Sequence, residues 1–212
     1  MGLNEQTNRI YLNAVLGKLR KKVKEGDTGS KSRELKDGSV VWERVYNSVT
    51  GSLDNIVFHE SDDYGNSWSV DLKDGEETYR IQVSENSRYG MDLLKKLPNL
   101  KSNINYKITP YDFEDNGKRR CGLSIAHGEE KITSYYQKFT KDGDKYTVEN
   151  LHGYPSFNGD SKDKDDLKIY YTMAAKFLRK EALARLKDIF INTEDTVSKV
   201  NKIFPGQDDL QL

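Results

Sequence analysis

The 212-residue chain has a single cysteine, Cys121, and only four prolines. One cysteine excludes an intramolecular disulfide, and the absence of a second one excludes a CxxC motif. No apolar run approaches the roughly 18 residues that a membrane-spanning helix needs. Hydrophobic residues make up 35% of the chain and charged residues 32%. We therefore expect a globular protein with a thin core, a highly charged surface and no attachment to a membrane.

Sequence motifs for common enzyme chemistry are also missing. There is no glycine-rich phosphate-binding loop, no HExxH and no G-x-S-x-G, and no histidine lies at ligand spacing from Cys121. The tripeptide Asp71-Leu72-Lys73 fits part of a metal-dependent nuclease pattern. The same tripeptide type recurs at Glu34-Leu35-Lys36 and Asp166-Leu167-Lys168, so it has little specificity. We predict a protein that is not an enzyme and needs no cofactor.

The first 140 residues read mainly as strands. "SWSVDLK" and "TYRIQVS" alternate apolar and polar residues, and "EDNGK" is typical of a tight hairpin. The dipeptide Thr50-Gly51 predicts a break between two strands. Between two strand groups, Met91, Leu94 and Leu97 recur at helical spacing before Pro98.

The rest of the chain predicts a loop followed by a helix. Residues 141–164 are rich in Gly, Asp, Lys, Pro and Ser, and apolar residues recur with a helical period from Asp166 to about Phe190. A second short helix would carry Val197, Val200 and Ile203. We predict a mainly β protein: an OB-fold-like barrel with a short inserted helix over 1–140, a loop over 141–164, and C-terminal helices with a short tail over 165–212.

One short stretch, "GKLRKKVKEG", is basic in a chain whose net charge is zero. On a strand, alternate residues share a face, which would place Lys18, Arg20, Lys22 and Lys24 in a stripe about 20 Å long. Alternate side chains and the phosphates of an extended nucleic-acid strand have similar spacings, about 6–7 Å. The stripe therefore predicts one wall of a nucleic-acid groove. Its alternatives are a solvated edge strand, on which lysines discourage aggregation, and a targeting or heparin-type signal.

Three further features bear on that interpretation. "VVWERVY" places Trp42, Arg44 and Tyr46 on one strand face, a pattern typical of base-stacking platforms, although both aromatic residues would also suit a core. A hairpin carries Lys118, Arg119 and Arg120 just after its turn, where they could contact phosphate or pair with acidic residues of the same hairpin. The C-terminal helix carries six basic residues, which would also suit an ordinary solvated face.

Several segments together resemble the small single-stranded DNA-binding proteins of tailed phages, including crAss-like phages. They are "LNEQTNRIYLNAVLGKL", "ERVYNSVTGSLDNI", "YGNSWSVDL", and "LPNL" followed by "ITPYDFEDNGKRRCGLSI", and they span about residues 3–140. The resemblance implies an OB-fold protein that coats single strands during replication or recombination in the cytoplasm of a bacterial host. It also implies an acidic tail that recruits replication or recombination proteins, for which "GQDDLQL" supplies Asp208 and Asp209.

The sequence thus leads to the hypothesis of a protein that binds single-stranded DNA with little sequence preference. Phosphates would be neutralised by the basic strand and hairpin, and bases would stack on exposed aromatic rings. The alternative is a structural or assembly protein that uses a β-barrel scaffold for protein interactions. The C-terminal helix would either pack on the barrel or mediate formation of a homo-oligomer.

Overall fold

The computed structural model of the protein describes residues 9–35, 37–143 and 145–190, apart from the side chains of Lys118, Asp142, Lys145 and Tyr146. The short helix expected at Val197–Ile203 and the tail with Asp208 and Asp209 lie outside these residues. The first strands are β1 (Arg9–Val15), β2 (Lys18–Val23), β3 (Lys31–Glu34), β4 (Val40–Tyr46), β5 (Val49–His59), β6 (Ser67–Asp74) and β7 (Glu77–Ser84). The later elements are α1 (Arg88–Lys96), a 3₁₀ turn (Leu97–Asn99), β8 (Asn105–Asp115), β9 (Lys118–His127), β10 (Glu130–Lys131), β11 (Gln137–Asp142), β12 (Lys145–Asn150) and α2 (Lys164–Phe190).

Ten of the strands form one sheet in the order β10-β9-β8-β5-β6-β7-β1-β2-β4-β3. The pairs in this sheet are antiparallel except β1 with β7, which run parallel. The predicted mainly β architecture with a C-terminal helix is confirmed. The two end strands, β10 and β3, are not paired with each other, so the hydrogen-bonded sheet is open.

The sheet curls enough to bring its distant parts together. The backbone N–H of Gly17, in the β1–β2 turn, donates to the Tyr89 hydroxyl of α1 at 2.8 Å. A Cβ atom at Gly17 would lie 2.9 Å from the backbone nitrogen of Asp112 in β8. Glycine, with φ of +69°, therefore allows this turn to approach β8 closely.

Alternation of apolar and polar residues builds the core on the inner face of the sheet. Trp68, Val70 and Leu72 of β6 are buried there, as the sequence predicts. The tight hairpin is also confirmed, because Asn116 and Gly117 adopt φ angles of 51° and 71° as a type I′ turn requires.

The predicted break at Thr50-Gly51 is wrong, since both residues lie inside β5 and the strands separate at Asn47-Ser48 instead. Gly51 marks a close approach of two backbones rather than a turn. A Cβ atom at this position would lie 2.9 Å from the carbonyl oxygen of Lys73 on the neighbouring strand β6.

The two predicted helices that lie within the described residues are present. The Ser87 side chain caps α1 by accepting from the Gly90 backbone N–H at 3.0 Å, and Leu93, Leu94 and Leu97 bury its apolar side. Helix α2 contacts α1, the 3₁₀ turn and strand β5, and six of its residues are buried. These are Ala174, Ala175, Leu178, Ala182, Leu186 and Phe190. Within the described residues, no helix is long and apolar enough to cross a membrane.

The segment expected as a loop over 141–164 contains a strand, β12. It pairs with β11 in a separate two-stranded sheet, in which Phe139 lies opposite Val148 and Thr140 opposite Thr147. Cross-strand pairs of aromatic and β-branched residues favour such a hairpin, although the composition of the segment around them is typical of a loop.

Candidate nucleic-acid interface

The strand register places a strongly basic surface on the outer side of the sheet. Residues paired across neighbouring strands project to the same side, and the pairs Lys22–Glu43, Tyr11–Arg80 and Asp71–Arg80 define this side. Its basic side chains are Arg9, Lys18, Arg20, Lys22, Lys31, Arg33, Lys73 and Arg80, and its acidic ones are Glu43 and Asp71. We call this surface, together with Tyr11, the basic face. It concentrates positive charge in a chain that is neutral overall.

Glu43 is one of the two acidic residues, and two arginines cover it. Its carboxylate accepts two hydrogen bonds from Arg33, at 2.7 and 2.9 Å, and one from Arg20 at 2.9 Å. These donors hold the pKa of Glu43 below its usual value, the bond from Arg33 contributing most. Only 7% of Glu43 is exposed, so its negative charge is largely hidden from an approaching polyanion.

Asp71 is covered in the same way. The Arg80 guanidinium donates to its carboxylate through two nitrogens, at 2.7 and 2.6 Å, and the Arg9 guanidinium lies 3.5 Å away. Asp71 is completely buried under these arginines. Both acidic groups therefore hold arginines in place, and the exposed charge of the face is positive. The exposed lysines are Lys18, Lys22, Lys31 and Lys73.

An exposed aromatic ring lies among these cations. Tyr11 is 54% exposed, and the Arg80 guanidinium carbon lies 6.0 Å from its ring centroid. A base stacked on Tyr11 would place its phosphates beside Arg80 and the neighbouring lysines. Proteins that bind single-stranded nucleic acid combine base stacking with positive charge in this way.

His59, on β5, borders the basic face. Its Nε2 atom lies 2.9 Å from the Ser69 hydroxyl oxygen. Partial burial lowers the pKa of His59, and the nearby charge of Arg80 lowers it further, against an opposing effect of Asp71. The imidazole is therefore more strongly held in its neutral form than in water.

The residues of the basic stripe do not all have the same environment. Lys18, Arg20 and Lys22 lie on the basic face, whereas Lys24 follows the end of β2 and is exposed. Lys18 donates to the Asn47 side chain at 2.7 Å. Arg20 donates to Glu43, and its side chain is only 14% exposed. The exposed lysines thus remain the better phosphate-contact candidates of the stripe.

The aromatic–arginine strand faces the other way. Trp42, Arg44 and Tyr46 share one side of β4, as expected, but they pair with Val23, Lys21 and Leu19 on the inner face. The basic stripe and the predicted stacking platform therefore lie on opposite sides of the same two strands. Lys21, rather than the stripe, accompanies Arg44.

The basic hairpin residues engage acidic neighbours. Arg119 donates two hydrogen bonds to Asp112, at 2.7 and 2.5 Å, and this interaction lowers the pKa of Asp112. The Nε atom of Arg120 lies 3.6 Å from an Asp115 carboxylate oxygen. Lys118 begins β9, and its side chain lies outside the described part of the structure. Pairing with acidic residues, the alternative role for this hairpin, is present for both arginines.

Other residues of the basic face do not belong to the predicted site. Lys31 and Arg33 lie on β3, which pairs with the far side of β4, and Arg9 and Tyr11 lie on β1. The alternation in "RIYLNAV" indicates that Arg9 and Tyr11 share one side of a strand. Their meeting with Arg80 depends on the parallel pairing of β1 with β7, which no local pattern indicates.

No group of three or more potential metal-ligating side chains comes together within residues 9–35, 37–143 and 145–190. Comparison with known proteins adds no identification. The sequence matches no protein-family model, no curated protein and no solved structure. The basic face and its buried acidic residues are therefore the features from which a function can be argued.

Proposed function

We propose that the protein binds single-stranded DNA through the basic face, with little sequence preference, during phage replication or recombination. The observation that carries this proposal is the distribution of charge: eight basic side chains share a face whose two acidic residues lie under arginines. Phosphate contacts of this kind supply affinity without reading bases, and Tyr11 offers a stacking surface that accepts any base.

We also propose that the curled sheet is an open form of the OB-like barrel implied by the resemblance. A helix between two strand groups and the contact of the β1–β2 turn with β8 support this interpretation. A single strand would run across β3, β4, β2, β1 and β7 on the outer side. Recruitment of replication or recombination proteins through the C-terminal tail is part of the same proposal.

The experiment is a titration with fluorescein-labelled oligo-dT, read by anisotropy over a series of salt concentrations. Each phosphate contact on a single strand contributes about 0.7 to the slope of log affinity against log salt. Replacing Lys18, Lys22 and Lys31 together with glutamine should flatten that slope by about two units. A matched control replaces three exposed lysines elsewhere, Lys162, Lys168 and Lys176, and changes the net charge equally.

The proposal predicts that the first triple variant flattens the salt dependence of oligo-dT binding strongly, and that the second flattens it little. Equal effects would mean that binding follows overall charge rather than this face. No binding of oligo-dT at low salt would refute the proposal.

One observation favours the alternative, a structural or assembly protein. Ile169, Tyr171 and Met173 on the first half of α2 are each at least half exposed, although all three are apolar or aromatic. A protein that fails to bind oligo-dT but forms concentration-dependent oligomers, dispersed by Ile169→Ser with Met173→Ser, would support that function instead. Light scattering after size-exclusion chromatography measures this.

A further inference from the structure

A cavity of about 470 Å³ opens on the inner face of the sheet, on the opposite side from the basic face. It lies where the apolar core ends, between the β2–β4 pair and the β6–β7 turn. We call it the mouth cavity. Its charged and aromatic lining consists of Lys21, Arg44, Tyr46, Asp74, Glu77 and Tyr79.

Two cations form one wall of the mouth cavity. Lys21 and Arg44 lie directly opposite each other on β2 and β4, a position in which side chains of like charge repel. Neither makes an ion pair or a side-chain hydrogen bond with any described residue, and the Nε atom of Arg44 is buried without a partner. A buried donor left unpaired is destabilising, so an anion that accepts a hydrogen bond from Arg44 would be favoured at this wall.

The opposite wall carries acidic and aromatic groups. Asp74 and Glu77 pair across the β6–β7 turn, and Glu77 accepts a hydrogen bond from the Tyr79 hydroxyl. That bond contributes most to raising the pKa of Tyr79 to about 12. Among the described residues, neither carboxylate forms an ion pair with Lys21 or Arg44. The cavity therefore keeps its positive and negative groups apart.

We propose that the mouth cavity binds a nucleoside monophosphate. Its phosphate would lie between Lys21 and Arg44, its base against the rings of Tyr46 and Tyr79, and its sugar hydroxyls within reach of Asp74. A phosphate monoester carries a charge of about −1.5 to −2 at neutral pH, which matches two cations better than a carboxylate does. The volume lies within the range of about 300–1,000 Å³ that is usual for small-molecule sites.

This site is independent of the proposed strand-binding function, because it uses the other side of the sheet. Two consecutive residues, Lys21 and Lys22, allow the two proposed binding sites to be tested separately. Lys21 lines the mouth cavity, whereas Lys22 projects from the basic face. The variants Lys21→Gln and Lys22→Gln therefore change the same charge, in the same strand, on opposite faces.

The test is isothermal titration calorimetry of the full chain with adenosine 5′-monophosphate. We expect binding, and an affinity for adenosine at least tenfold weaker, because adenosine lacks the phosphate. Lys21→Gln and Arg44→Gln should each weaken the nucleotide about tenfold, the loss of one charge-assisted hydrogen bond, and Lys22→Gln should leave it unchanged. Thermal melting shows that each variant remains folded.

Two results would overturn this inference. They are the absence of nucleotide binding at millimolar concentration, and equal weakening by Lys21→Gln and Lys22→Gln. A 5′-phosphorylated oligonucleotide that displaces the nucleotide, when its unphosphorylated counterpart does not, would support the site and identify a strand end as a source of the ligand.

Discussion

Asp71 and Arg80 form a bidentate ion pair across β6 and β7, with nitrogen–oxygen distances of 2.7 and 2.6 Å. Because Asp71 is fully buried, replacing it with asparagine leaves the charge of Arg80 without its partner. We expect Asp71→Asn to lower the free energy of unfolding by about 3–5 kcal/mol. Urea denaturation measures this loss. Asp54→Asn is the control, since Asp54 is exposed on β5, and an equally large loss there would contradict the assignment.

Glu43 links stability with strand binding. We expect Glu43→Gln to lower the free energy of unfolding by about 1.5–3 kcal/mol, because hydrogen bonds between charged groups are weakened. The same change frees Arg20 and Arg33 from their shared carboxylate, so oligo-dT should bind more tightly and with a steeper salt dependence. Denaturation and anisotropy titrations test the two effects separately. Weaker oligonucleotide binding by a folded Glu43→Gln variant would argue against the basic face.

Tyr11 supplies a test of stacking. We expect Tyr11→Ala to weaken oligo-dT binding by about 1–3 kcal/mol without changing the slope against salt, because a stacked ring contacts no phosphate. Tyr64 is the matched control, because it is 94% exposed in the β5–β6 loop, away from the paired strands. Equal effects of Tyr11→Ala and Tyr64→Ala in the anisotropy titration would remove Tyr11 from the site.

His59 gives the stability a dependence on pH. Its pKa is lowered in the folded protein, so below about pH 6.5 the unfolded chain takes up a proton more readily than the folded one. The stability that depends on a neutral His59 is fully present above that pH. It is lost as the pH falls towards the lower pKa that His59 has in the folded protein. We expect stability to decline less between pH 7.5 and 5.5 in His59→Gln than in the original protein. Urea denaturation at both pH values measures this, and an equal decline in His59→Gln and the original protein would contradict the role of His59.

The inward and outward sides of single strands could be predicted from the sequence. Alternation in β2 places Leu19 in the core and Lys18, Arg20 and Lys22 outside, and β4 keeps Trp42, Arg44 and Tyr46 together. These patterns are local, because successive side chains of a strand point to opposite faces of the sheet. Helix α2 was predictable for the same reason, since its apolar residues recur with a helical period.

The relation between strands could not be predicted in this way. Lys22 pairs with Glu43, and a register shifted by one residue would pair it with Arg44 and bring the stripe and the aromatic platform to one side. The segment between β2 and β4 contains another strand, β3, so no tight turn sets that register. The basic face depends in addition on the β1–β7 pairing, in which Arg9 lies opposite Thr78.

The position of β1 has a consequence for how the chain folds. In the order of the sheet, β2, β4 and β3 connect to the other strands through β1 alone. Arg9 can pair with Thr78 only after the whole chain between them has been synthesised. Non-local parallel pairing of this kind carries a large loop-closure entropy and slows folding. Strand β1 is therefore made well before its final neighbour β7, and the pairing of these two strands joins the two parts of the sheet.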